Sequence, residues 1–160
     1  MSYEKRIAEA KSIGEMFSIV KEMVGEFLKV EQAGLLVGLS DLGMHGSSFV
    51  GAFYSPDANT IIINKRPLAK VLRQNPRNFN NYLFHVMLHE YVHSLGLYNE
   101  EQTRQLVEEM ATHHFGQSHP ITQMTWNVGK FIDATGTELP KDTGIEFVEG
   151  IDRKNTDYIQ

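Results

Sequence analysis

An α+β fold is what this sequence predicts, and three observations carry the prediction. Residues 3–32 place Ile7, Ala10, Ile13, Phe17, Val20, Val24, Phe27 and Leu28 every three or four positions with charges between, the spacing of one buried helical face. The period then changes: Leu35–Leu39, Phe49–Tyr54 and Thr60–Asn64 read as strands of a small mixed sheet. Beyond residue 79 the chain returns to helical spacing in two long runs.

Taken in order, Ser12-Ile13-Gly14-Glu15 has capping-box spacing, so the first helical stretch divides into a short and a long helix ending near Gln32. Ser40–Ser48 is polar and Gly-rich, hence a loop, with His45 a solvated side chain in it. Ser55-Pro56-Asp57-Ala58-Asn59 is a turn that makes a hairpin of the two strands beside it. Pro67 suits the first turn of a helix that stops before Asn75-Pro76. Gly96 closes the next helix, Asn99 caps the one after, and Gly116 ends that one. This last helix has acidic residues in its first turn and histidines in its last, as the helix dipole favours. His119-Pro120 opens a further helical segment through Ile132, and from Asp133 the chain reads as loop with at most one strand, near Ile145–Val148.

The helix around Phe84–Gly96 carries the chemistry. His89-Glu90-Tyr91-Val92-His93 is H-E-x-x-H, and residues four apart share a helix face, so His89 and His93 present two imidazoles to one tetrahedral ion. Glu90 is turned about 100° from His89, outside the ligand shell and within reach of a zinc-bound water. That pattern points to metal-assisted hydrolysis with Glu90 as general base. Phe84, Leu88, Tyr91, Val92 and Leu95 occupy the other arc, so the helix is apolar nearly all round and its polar groups need partners.

Composition removes several alternatives. There are no cysteines, which excludes disulfides, thiolate nucleophiles and cysteine-ligated zinc. A net charge of −5 speaks against nucleic acid as a partner. No apolar run approaches a membrane span and the amino terminus lacks a signal-peptide core, so a cytoplasmic protein without membrane association is expected. A single domain is expected over 1–160: a helical scaffold over 1–32, a catalytic core over 33–116, and a C-terminal helix and tail over 117–160.

A catalytic zinc takes three protein ligands. The position six past His93 is Asn99, which suits a helix cap better than a metal, leaving Glu108 or Glu109 on the capped helix, or His113 or His114. The two glutamates flank that helix's apolar face about equally.

HEYVHSLG, a short turn and an acidic helix with VEEMATHHFG together resemble the gluzincin branch of zincin-type zinc metallopeptidases, nearest to compact single-domain minigluzincins, over about residues 49–116. The resemblance implies a zincin-like α+β fold, zinc, and a third ligand from a glutamate helix. Aligned this way, Glu109 is the ligand, Glu108 the alternative, and His113 orients a zinc histidine from the second shell.

The function expected is peptide-bond hydrolysis, with a peptide or protein as the partner. A catalytically silent or narrowly specific zincin-fold regulatory module is the alternative. Substrate is expected as an added strand along the hairpin edge beside Asn59–Asn64, with Asn64 a contact and Tyr98, Tyr54 or His119 donating to the oxyanion. His85, His114 and His119 read as cleft-lining or surface histidines. Residues 145–148 are a candidate cover for the cleft by pairing on that same hairpin edge.

Overall fold

Ser2 and Ser12 each accept a hydrogen bond from the backbone N–H three residues on, of Lys5 and Glu15, and so start the first two helices. In the computed structural model, which describes residues 1–46, 49–141 and 144–149, these are α1 (Tyr3–Glu9) and α2 (Ile13–Leu28). The helix ends four residues earlier than its periodicity suggests. Lys29 takes a left-handed conformation at φ 61°, and Gln32 is drawn away to bond Asn59 and the Tyr91 hydroxyl.

Four strands form the main sheet: β1 (Leu36–Ser40), β3 (Ala52–Ser55), β4 (Thr60–Asn64) and β6 (Glu146–Phe147), in the order β3-β4-β1-β6. β1 runs parallel to β4, while β3–β4 and β1–β6 are antiparallel. The run TIIIN of β4 is buried throughout, as an interior strand covered on both faces requires. The strand expected to offer its edge beside Asn59–Asn64 is therefore interior, and the edge of the hairpin is β3. The tail also departs from expectation. It does pair with the sheet, but on β1, two strands away from β3, so residues 145–148 do not cover the hairpin edge. Gly38 leaves room for the Ile145 side chain there, since a Cβ would stand 2.7 Å from Ile145 Cγ2.

The loop over 40–48 contains a two-residue strand, β2 (Met44–His45), because the tail returns as β5 (Thr137–Glu138) to pair with it. Ser47 and Ser48 lie outside the described residues. Asp41 anchors this corner: its carboxylate accepts from Arg66 Nε at 2.9 Å and from the backbone N–H groups of Gly43 and Lys141 at 3.0 Å each. Burial would raise its pKa, but these donors hold it down to about 2.

Asn64 caps α3 (Lys65–Gln74) and is fully enclosed. Its Oδ1 accepts from Leu42 and Arg66 N–H, and its Nδ2 donates to the carbonyls of Gly43 and Val50. With its hydrogen-bonding capacity used inside the fold, Asn64 is not available to substrate. After a 3-10 turn over Pro76–Asn78, α4 (Phe79–Ser94) runs through the interior with eleven of its residues buried, as its all-round apolar character predicts. Then follow α5 (Glu100–Phe115) and α6 (Pro120–Met124). The last helix stops well short of Ile132, because Asn127 leaves helical geometry and only a 3-10 turn over Val128–Lys130 follows. Among the described residues, no helix is long and apolar enough to cross a membrane.

Candidate metal centre

The last two turns of α4 meet the first turn of α5 across the link Leu95–Asn99. Gly96, at φ 106°, lets the chain leave α4, and its N–H bonds the carbonyl of His93. Asn99 then caps α5 by accepting from Gln102 N–H at 2.9 Å. The reversal is tight enough to bring α5's first residue, Glu100, over the histidine pair.

His89, Glu90 and His93 form a group able to hold a metal ion, with ligand atoms within 4.8 Å of one another. The rings of His89 and His93 are 4.8 Å apart and nearly perpendicular. Both Nε2 atoms point at one carboxylate. Glu100 Oε1 lies 2.8 Å from His93 Nε2, and Glu100 Oε2 lies 3.0 Å from His89 Nε2.

The far side of His93 fixes its tautomer. Its Nδ1 stands 2.7 Å from the carbonyl oxygen of Leu97, which can only accept, so Nδ1 carries a proton. Thr103, fully buried on α5, donates its hydroxyl to the same carbonyl at 3.0 Å. A neutral His93 then presents a lone pair at Nε2 to the carboxylate, acceptor against acceptor. Only a second proton or a cation between them satisfies that contact. Orienting a ligating imidazole through its other nitrogen is how metal sites fix the ring.

Glu90 stands beside this pair and is 7% exposed. Burial, and after it the charge of Glu100, pushes its pKa up to about 8, while the backbone N–H of Tyr54 on β3 donates to the carboxylate and pulls the other way. Burial lowers His89, opposed by Glu100. For Glu100 burial acts upward, but the contacts with His89 and then His93 leave it below the usual carboxylate range.

Two cavities open on the group. One, of about 420 Å³, is lined by residues 49–54 together with His89, Glu90, His93, Tyr98 and Glu100. The other, of about 440 Å³, shares His89 and Glu90 but extends towards His85, Arg104 and Trp126. His85 is thus a cleft residue, and burial followed by the proximity of His89 pushes it down to about 3.

Other residues singled out in the sequence lie elsewhere. Glu108 and Glu109 are eight and nine residues beyond Glu100 on the same helix, which at 1.5 Å per residue is about 12–14 Å along its axis. Glu109 faces solvent and Glu108 is half-buried. His113 and His114 sit a further turn on, edge-on to each other and packed against Phe27, and the groups that contact His93 Nδ1 are Leu97 and Thr103 instead. His119 caps α6 by accepting from Ile121 N–H, and its Nε2 approaches Glu4. The Tyr54 hydroxyl is committed to Asn59 at 2.7 Å. Of the oxyanion candidates, Tyr98 alone reaches the cavity with a free-facing side chain, 60% exposed.

Glu100 is the residue that sequence reasoning passed over, because an acid in the first turn of a helix has a sufficient explanation in the helix dipole. The signal was the shortness of the link: a helix ending at Gly96 and another capped at Asn99 leave the first residue of the second no place but opposite the end of the first. Comparison with protein-family models, with curated proteins and with solved structures finds no match for this chain.

Proposed function

We propose that this chain is a zincin-type metallopeptidase in which His89, His93 and Glu100 hold a zinc ion and Glu90 is the general base. The observation that carries the reading is the convergence of two imidazole Nε2 atoms on one carboxylate, with His93 already protonated on its other nitrogen. Two nitrogens and a carboxylate are the donor set of a catalytic zinc that keeps a fourth position open. The glutamate of the resemblance is kept, at Glu100 in place of Glu109.

When bound, such an ion would polarise a scissile carbonyl and acidify a water molecule. The protein's own groups supply the remainder. Glu90, buried beside the two histidines, is the carboxylate placed to take a proton and hand it to the leaving amine. Tyr98 is the donor available to a developing oxyanion. The open edge of β3, whose Tyr54 N–H already reaches Glu90, offers an extended peptide a strand to pair with.

The test is Glu90→Gln in the full chain. The variant is expected to bind one equivalent of zinc and to lose peptide cleavage by several orders of magnitude; cleavage equal to the unaltered protein rejects Glu90 as the base. An unaltered protein that binds zinc yet leaves a broad peptide library uncut points to the non-catalytic module.

A further inference from the structure

The second cavity has an apolar wall that includes Val86 and Met124, and away from the Glu90 carboxyl its polar lining offers donors at Tyr82, Arg104 and Thr125. The Tyr82 hydroxyl, on a residue 1% exposed, has no hydrogen-bond partner among the described residues, and neither has Thr125 Oγ1 on a residue 8% exposed. Tyr82 reaches the cavity wall at Gly51, where a Cβ would stand 2.9 Å from the hydroxyl. Arg104 is the permanent cation among the described lining residues. Its guanidinium lies 5.3 Å from the ring of Trp126, and one nitrogen donates to Glu101 at 3.1 Å. A guanidinium has five N–H donors, so that single bond leaves most of the fork available.

Buried hydroxyls left unpaired are costly, and a guanidinium over an indole that is paired to Glu101 through one nitrogen keeps N–H groups for a second anion. We infer that this cavity is a specificity pocket that binds a carboxylate of the substrate, through Arg104 with Tyr82 and Thr125, next to the bond that is cut. The inference rests on the peptidase reading for its position relative to that bond. The carboxylate has two possible sources: an acidic side chain of the residue beside the scissile bond, or the free carboxyl end of the peptide. The apolar wall matches the methylene stem that carries a glutamate carboxylate.

Binding can be measured apart from turnover with the zinc-loaded Glu90→Gln chain. The probes are a positional peptide set with Glu, Gln, Leu or Lys at each place, every peptide made as free acid and as C-terminal amide. Glu peptides are expected to bind at least about tenfold tighter than their Leu counterparts, as a charge-assisted hydrogen bond provides. The preference should vanish in Arg104→Ala and weaken in Thr125→Val. Preference for free acid over amide, whatever the side chain, assigns the carboxylate to the peptide end and supports the same pocket. Equal affinity for Glu and Leu together with equal affinity for acid and amide overturns the inference. So does a preference that survives Arg104→Ala. The peptidase reading fails separately: unaltered protein that discriminates carboxylates in binding but cuts none of these peptides rejects peptidase activity and retains the pocket.

Discussion

Replacing Glu100 by Ala separates the two glutamate assignments. In the structure the carboxylate contributes one contact to each imidazole, at 2.8 and 3.0 Å, so the replacement leaves two nitrogens where three donors stood. Losing a group that merely orients a ligand costs 10–100-fold in metal affinity. Losing a ligand outright is expected to cost about 100-fold or more, which is about 2.8 kcal/mol at 1.4 kcal/mol per tenfold. The fold should barely notice. Glu100 is a solvent-facing side chain in the first turn of α5, where a carboxylate contributes about 0.3–1 kcal/mol. Competition against a chromophoric chelator gives the zinc affinity, the visible spectrum of the cobalt-substituted protein reports the coordination, and urea unfolding of the metal-free chain reports the stability. Glu109→Ala, run in parallel, is expected to match the unaltered protein in all three. Full affinity in Glu100→Ala, or an equal loss in Glu109→Ala, refutes the assignment.

Thr103→Val removes the hydroxyl that shares the Leu97 carbonyl with His93; zinc affinity should fall by about tenfold, the low end of the range for orienting groups, measured by the same competition. Asn64→Ala deletes four side-chain hydrogen bonds inside the fold and should cost about 3–4 kcal/mol in urea unfolding at roughly 1 kcal/mol per bond. Asp41 has a depressed folded-state pKa, so its contribution is present above its ordinary value of 3.8 and is lost as pH falls towards about 2. Discounted for solvent screening, the loss is about 1–2 kcal/mol, and it should be absent from the acid-unfolding curve of Asp41→Asn.

What could be read from the sequence was whatever local spacing dictates. The split of the first helix at Ser12, the hairpin turn at Asn59, the stop at Gly96 and the cap at Asn99 are decisions made within four or five residues, and the structure has each of them. The pair His89–His93 with Glu90 between is legible for the same reason. What was not legible depends on contacts distant in the chain. Whether β4 is an edge or an interior strand is decided by β1, twenty-four residues earlier, lying parallel to it. The two-residue β2 exists only because residues 137–138 return to it. Glu100 illustrates the harder case, in which a local explanation was adequate and concealed a tertiary one.

The two margins of the main sheet are finished differently, and that bears on how the protein behaves in concentrated solution. At one margin the chain's own tail, as β6, takes up the backbone groups of Gly38 and Leu39 and is itself the outermost strand. The other, β3, is bare and shows Phe53 to solvent. A bare strand is ordinarily a hazard, since copies can pair edge to edge. Here the strand is only four residues long, Ala52–Ser55, and the outward N–H of Tyr54 is already bonded to Glu90. Brevity and that one occupied donor shorten the ladder that a second copy could extend.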